Sequence, residues 1–176
     1  MTTDQKLERA ISSRLANAAA IISAARNSGL KLSVACASLE KESSGRNVFG
    51  GDPWNQSVYP RGPALFDSWK ESPVTRAKYT VYKMRRALGM QPNGVGPCQL
   101  TSVGLQIDAQ KAGGCWKPYP NMLIGFRFLK GLIDEFGVQL GFQHYNGSGP
   151  AAEAYGRESL QQVNEWHTRL EEALHV

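Results

Sequence analysis

The sequence predicts one mainly helical α+β domain, and three observations lead to it. Apolar residues recur at helical spacing near both ends of the chain, at Leu7, Ile11, Leu15, Ala18, Ile22 and Ala25, and at Leu160, Val163, Trp166, Leu170 and Leu174. Two stretches break that rhythm, Gly45 to Pro73 and Gln91 to Ser102, both crowded with glycine, proline and asparagine. No linker, internal repeat or low-complexity tract divides the 176 residues, a length that suits a single core. The domain is therefore expected to span residues 1–176.

Each element follows from local chemistry. Thr2 and Gln5 have capping-box spacing and start a long amphipathic helix that Gly29 stops. Ser33 is the expected cap of a short second helix, buried through Leu39 and ending near Glu42. From Gly45 to Pro73 the reading is turns with one short hairpin. Ser72-Pro73 has the form of an N-cap followed by proline at the first helical position. Val74, Ala77, Val81, Met84 and Leu88 then mark the expected buried stripe of a helix that Gly89 ends. Thr101 is a candidate cap for a helix through Ala112. Asn121 is a candidate cap for MLIGFRFLKGLIDEFG, whose apolar residues occupy nearly every face and predict a buried central helix. VQLGFQHYNGSGP reads as a short helix ending in a loop, and the last helix is expected to begin near Ser159.

Composition narrows the function classes. Hydrophobic content of 41% and charged content of 20% argue against disorder. No run approaches the roughly 18 apolar residues of a membrane span, and the charged, helix-periodic first 29 residues do not read as a secretory signal. A net charge of +5 favours an anionic partner. Nucleic acid would satisfy it, but no recognisable reading motif accompanies the charge, so no nucleic-acid partner is expected. Arg76, Lys78, Lys83, Arg85 and Arg86 share one helix without an acidic residue. They form either a solvated face or a docking face for an anionic wall polymer. Cys36, Cys98 and Cys115 make an odd count. Cys98 and Cys115 bracket a short loop and are the pair able to bridge, but free thiols are the expected state. No CxxC or HxxxH spacing suggests a metal, and no cofactor is implied.

Chemistry concentrates where helices give way to loops: Glu42-Ser43-Ser44-Gly45, Gly94-Val95-Gly96-Pro97-Cys98-Gln99-Leu100 and Tyr145-Asn146-Gly147. Glu42 lies at the end of an apolar helix, where desolvation raises a carboxyl's pKa and the helix dipole disfavours its charge. Such a group is suited to protonate a glycosidic oxygen, a poor leaving group that needs an acid placed against it. Asp52, ten residues on, is the candidate second carboxylate. Gln99 has an amide suited to a sugar acetamido group, or else satisfies its own turn. Trp54, Tyr59, Trp69, Trp116 and Tyr119 cluster near the breaks, and Trp116 is the first candidate for an exposed ring that stacks on sugar.

Four segments in this order, EKESSGRNVFGGDP, GVGPCQLT, GGCWKP and HYNGSGPAAEAY, resemble the lysozyme-like superfamily. The resemblance is to soluble lytic transglycosylases and goose-type lysozymes, and most of all to the glycosidase domains of actinobacteriophage endolysins. It covers about residues 30–160. It implies a lysozyme-like fold, with NMLIGFRFLKGLIDEFG as the central helix. It also implies a muramidase or lytic transglycosylase that cuts the β-1,4 bond of bacterial peptidoglycan. By that likeness Glu42 is general acid and base, Tyr145 positions it, Asn146 lines the cleft with Gln99, and Ser43 is a candidate ligand contact. If Asp52 stays out of the cleft, the muramic acid's C6 hydroxyl attacks and leaves an anhydro end; if it holds a water, hydrolysis follows. The expected protein is a monomer made in a host cytoplasm, without a signal peptide, that reaches the wall after release. A non-catalytic wall- or chitin-binding module, or a chitinase of the same superfamily, are the alternatives.

Overall fold

The structure, a computed structural model, describes residues 1–175. The capping box forms as expected. Gln5 N donates to Thr2 Oγ1 at 3.3 Å, and Thr2 N donates to Gln5 Oε1 at 2.8 Å, opening α1 (Thr3–Ser12). The helix is not continuous to Gly29, however. It stops at Ser12, and α2 (Ala18–Ser28) begins after Asn17, whose backbone is left-handed with φ 62°. Contacts from far along the chain make this break. Ala16 N donates to Ser44 O at 3.0 Å and Asn17 Nδ2 to Gly45 O at 2.8 Å. Gly29 ends α2 as expected, with φ 72° and its N–H on Ala25 and Arg26. α3 (Leu32–Glu42) starts after Lys31, not at a Ser33 cap, and is buried from Ser33 to Leu39.

No hairpin forms between Gly45 and Pro73. Instead residues 47–50 lie between two other segments, through antiparallel bridges Val48 to Pro73 and Phe49 to Val95. Gly50 N donates to Gly94 O at 2.8 Å and Gly96 N to Val48 O at 2.9 Å. These bonds hold the loop after α3 against the loop at 94–100. The β content is thus a few isolated bridges beside a helical body.

α4 (Arg76–Ala87) is capped by Thr75, not Ser72, and its buried side differs from expectation. Tyr79 and Tyr82 face inward, whereas Met84 and Leu88 are 55% and 63% exposed and Ala77 is exposed. Tyr82 wins the inward position because its hydroxyl has partners there, donating to Asn93 O at 3.1 Å and accepting from Asn93 N at 2.9 Å. α5 (Val103–Lys111) follows Ser102. α6 (Pro118–Phe136) begins with proline in its first turn, so Asn121 lies inside the helix rather than capping it. α7 (Val138–Asn146) and α8 (Pro150–His175) complete the chain, and α8 starts nine residues before Ser159.

α6 packs against α2, α5 and α7, and buries Met122, Phe126 and Leu129, as a central helix should. α8 lies across α7, α3 and α1, with Trp166 and Leu170 inside. Among the described residues no helix is long and apolar enough to cross a membrane.

Candidate active site

Three consecutive residues at the end of α3 engage α8. Trp166 Nε1 donates to Glu40 Oε2 at 2.8 Å, Lys41 pairs with Glu158, and Tyr155 donates its hydroxyl to Glu42 Oε1 at 2.5 Å. Glu40 also meets Arg14 at 3.3 Å. Lys41 Nζ stands 4.8 Å from the centre of the Tyr155 ring, so one cation touches both the acid's neighbour and its own partner Glu158. The last turn of α3 is fixed in direction, not frayed, and Glu42 is half-buried within it.

Burial pushes the Glu42 carboxyl above the ordinary range. The Tyr155 hydrogen bond opposes the rise, the negative charge of Asp52 adds to it, and Lys41 opposes it again. Asp52 accepts from Gly94 N at 2.7 Å, so the bridge between the two loops also fixes the second carboxylate. The structure therefore brings Asp52 into the field of Glu42. Tyr155 in turn has its hydroxyl proton held tightly, by burial first and then by the charge of Glu42 and the hydrogen bond to it.

The loop at 94–100 rests on α6 through Asn121. Asn121 Nδ2 donates to Val95 O at 2.8 Å, and Oδ1 accepts from Cys98 N at 3.0 Å. Gly96 and Gly125 permit this contact. A Cβ on Gly96 would fall 2.5 Å from Asn121 Nδ2, and one on Gly125 would fall 2.6 Å from Cys98 Cβ. Ser44 and Gln99 have left-handed backbones, φ 54° and 46°, on the two loops beside Glu42. Non-glycine residues hold that conformation only when surroundings impose it, and they concentrate at functional sites.

The residues singled out in the sequence divide into two groups. Glu42, Asp52, Gln99 and Tyr145 converge. Gln99 Nε2 donates to Val48 O at 3.1 Å and Gly96 O at 2.8 Å, so its amino group satisfies the turn. Its Oε1 lies 2.5 Å from where a Cβ on Gly50 or Gly94 would stand, so both glycines let the amide approach the loop backbone closely. Tyr145 donates to Cys98 O at 2.9 Å, not to Glu42. It still lies in the field of Glu42, which adds to the burial that holds its hydroxyl protonated. Gln99 and Tyr145 line a groove of about 430 Å³ with Leu100, Thr101, Asp108 and Phe128. Asn146 is exposed at the end of α7. Ser43 is buried and its hydroxyl donates to Pro97 O at 2.8 Å, a tie between the two loops rather than a free contact. Trp116 is half-buried against Tyr79, at 6.2 Å between ring centres, with Arg76 at 5.6 Å over its face. It packs on these neighbours and leaves only part of its ring at the surface.

Two residues that organise the site carry no signal of that role in the sequence. Tyr155 precedes the expected start of the last helix near Ser159. Pro150 followed by Ala-Ala-Glu-Ala is a good helix start, and it puts Tyr155, Ser159 and Trp166 along one side of α8. Asn121 was read as a cap and has no pattern of its own. The three cysteines are buried free thiols. Among the described residues no three His, Cys, Asp or Glu side chains gather as a metal site requires. A hollow of about 610 Å³ between α1 and α8 is walled by Arg14, Glu165, Arg169 and Glu172 and holds none of the motif residues. The chain matches no protein-family model, and no curated protein or solved structure matches it significantly, so the likeness to lysozyme-like enzymes rests on its four short segments.

Proposed function

We propose that this protein is a peptidoglycan-cleaving glycosidase of the lysozyme-like kind, acting on the β-1,4 bond between N-acetylmuramic acid and N-acetylglucosamine as a phage endolysin does. One observation carries the reading: Glu42 is a half-buried carboxyl, raised by desolvation and held through one oxygen by Tyr155. Tyr155 occupies Oε1, which leaves Oε2 to carry the transferable proton. The sequence of events follows from that arrangement. Glu42 protonates the glycosidic oxygen as the bond to the anomeric carbon breaks, and becomes a carboxylate. Tyr155 and Lys41 stabilise that charge. The carboxylate then takes the proton of the incoming hydroxyl, whether water or the sugar's own C6 hydroxyl, and the acid is restored.

The reading gives the second carboxylate, Asp52, a charge-stabilising role, since it bears on Glu42 from the loop that follows α3 and is fixed by Gly94 of the other loop. The groove of Gln99, Tyr145 and Phe128, whose walls include neither Glu42 nor Asp52, offers polar and aromatic groups suited to an acetamido sugar beside the acid. The test is a Glu42→Gln variant on purified walls. Clearing is expected to fall about 10²- to 10⁴-fold, the usual contribution of a positioned acid, while sedimentation with walls is unchanged. Full clearing by the variant would remove Glu42 from the mechanism. A wild-type protein that binds walls and never clears them would make the chain a binding module.

A further inference from the structure

α4 turns an apolar stripe outward and carries five cations that join no ion pair among the described residues. On α4, Ala77, Val81, Met84 and Leu88 recur at i, i+4, i+7 and i+11, and so share a side. That side faces away from buried Tyr79 and Tyr82, and Met84 and Leu88 are more than half exposed. Arg76 and Lys83, both exposed, border it on one edge; on the other, Lys78 donates to Ser72 Oγ at 2.9 Å and Arg85 to Ala64 O at 2.8 Å and Pro63 O at 3.1 Å. Among the described residues none of the six ion pairs uses a cation of α4, although Arg14, Arg26, Lys41, Lys70, Lys111 and Lys130 all have carboxylate partners. The surface continues past the helix end. Arg61 donates to Leu88 O at 2.6 Å, and the Arg85 guanidinium lies 4.0 Å from the centre of the Phe66 ring, itself 38% exposed.

We infer that the α4 face docks on an anionic lipid surface. An apolar stripe bordered by lysine and arginine lies in the interface plane, with side chains at the acyl boundary and cations among the phosphates. A polyanion without an apolar part would engage the cations and leave Met84 and Leu88 in water. A second copy would bring two chains of charge +5 together through their basic faces. Lipid phosphate satisfies both parts of the patch.

Co-sedimentation with vesicles of phosphatidylglycerol and phosphatidylcholine in equal parts tests this. The protein is expected to bind these vesicles, to leave pure phosphatidylcholine vesicles unbound, and to dissociate as salt rises. Met84→Ser with Leu88→Ser, both at exposed positions, is expected to weaken binding about tenfold or more. Arg76→Glu and Lys83→Glu should each weaken it roughly fivefold or more. Four results overturn the proposal: no binding to anionic vesicles; binding that ignores the serine substitutions, which marks a purely electrostatic polyanion site; equal binding to duplex DNA; or a dimer in sedimentation velocity that Leu88→Ser dissolves. Circular dichroism confirms that the variants are folded.

Discussion

Burial, the helix C-terminus and Asp52 all raise the Glu42 carboxyl above its ordinary range, against Tyr155 and Lys41, which lower it. The sign of the pH effect on stability follows. A carboxyl whose pKa is raised by folding holds its proton in the native state while the unfolded chain releases it. Stability therefore falls as pH rises from the ordinary carboxyl value through the raised one, and the full penalty applies above it. Glu42→Gln removes the penalty. It is expected to stabilise the protein at neutral pH by about 1 kcal/mol, as relaxing an active-site group commonly does. For a domain of this size the melting temperature rises by roughly 2–4 °C, and the gain disappears below the ordinary carboxyl range. Scanning calorimetry across pH checks this. The neighbours predict opposite shifts in the alkaline limb of activity. Asp52→Asn removes a charge that raises Glu42, so the limb moves to lower pH. Tyr155→Phe removes a hydrogen bond that lowers it, so the limb moves to higher pH. A pH–rate profile of each variant reads the direction, and a shift of the same sign in both would contradict the assigned contacts.

α6 and the loop at 94–100 form one unit, and Asn121 is its pin. Asn121→Ala leaves the Cys98 N–H buried without a partner, while Val95 O keeps the Leu100 N–H at 3.1 Å, a loss of about 1–3 kcal/mol in urea unfolding. Gly125→Ala forces a methyl against Cys98 and is expected to cost about 1–3 kcal/mol. Much of this arrangement was readable beforehand. The capping box of α1, the Gly29 stop, the end of α3 at Glu42 and the central helix all follow from local chemistry that the tertiary structure leaves alone. Distant contacts decided the rest. The break between α1 and α2 has no glycine or proline, because it is cut to receive Ser44 and Gly45. The stripe on α4 was misassigned because apolar character alone ranked Met84 and Leu88 above Tyr79 and Tyr82, while the inward side offered hydroxyl partners to Tyr82. Among site residues, Glu42 and Asp52 were legible as carboxylates at breaks. Tyr155 was hidden by a misplaced helix start, and Ser43 and Trp116 proved to be packing groups.

Across the whole molecule, the bridge at 48–50 and 94–96 holds Asp52, on the loop after α3, in the field of Glu42 at the end of that helix, and Tyr155 of α8 fixes Glu42 from behind. α4 carries five cations and no acidic residue in a chain of net charge +5, so the proposed attachment and the proposed cleavage lie on separate parts of the protein. Salt should therefore weaken attachment through α4 without altering the acid, since exposed charges are screened over roughly 8–10 Å at physiological ionic strength. The most direct check on the whole account is mass spectrometry of peptidoglycan digested by the wild-type protein and by Glu42→Gln. Glycan strands cut between N-acetylmuramic acid and N-acetylglucosamine by the wild type, and left whole by the variant, are the predicted result. Anhydro ends would identify attack by the C6 hydroxyl, and reducing ends attack by water. Intact strands after wild-type digestion, or equal cutting by Glu42→Gln, would contradict it.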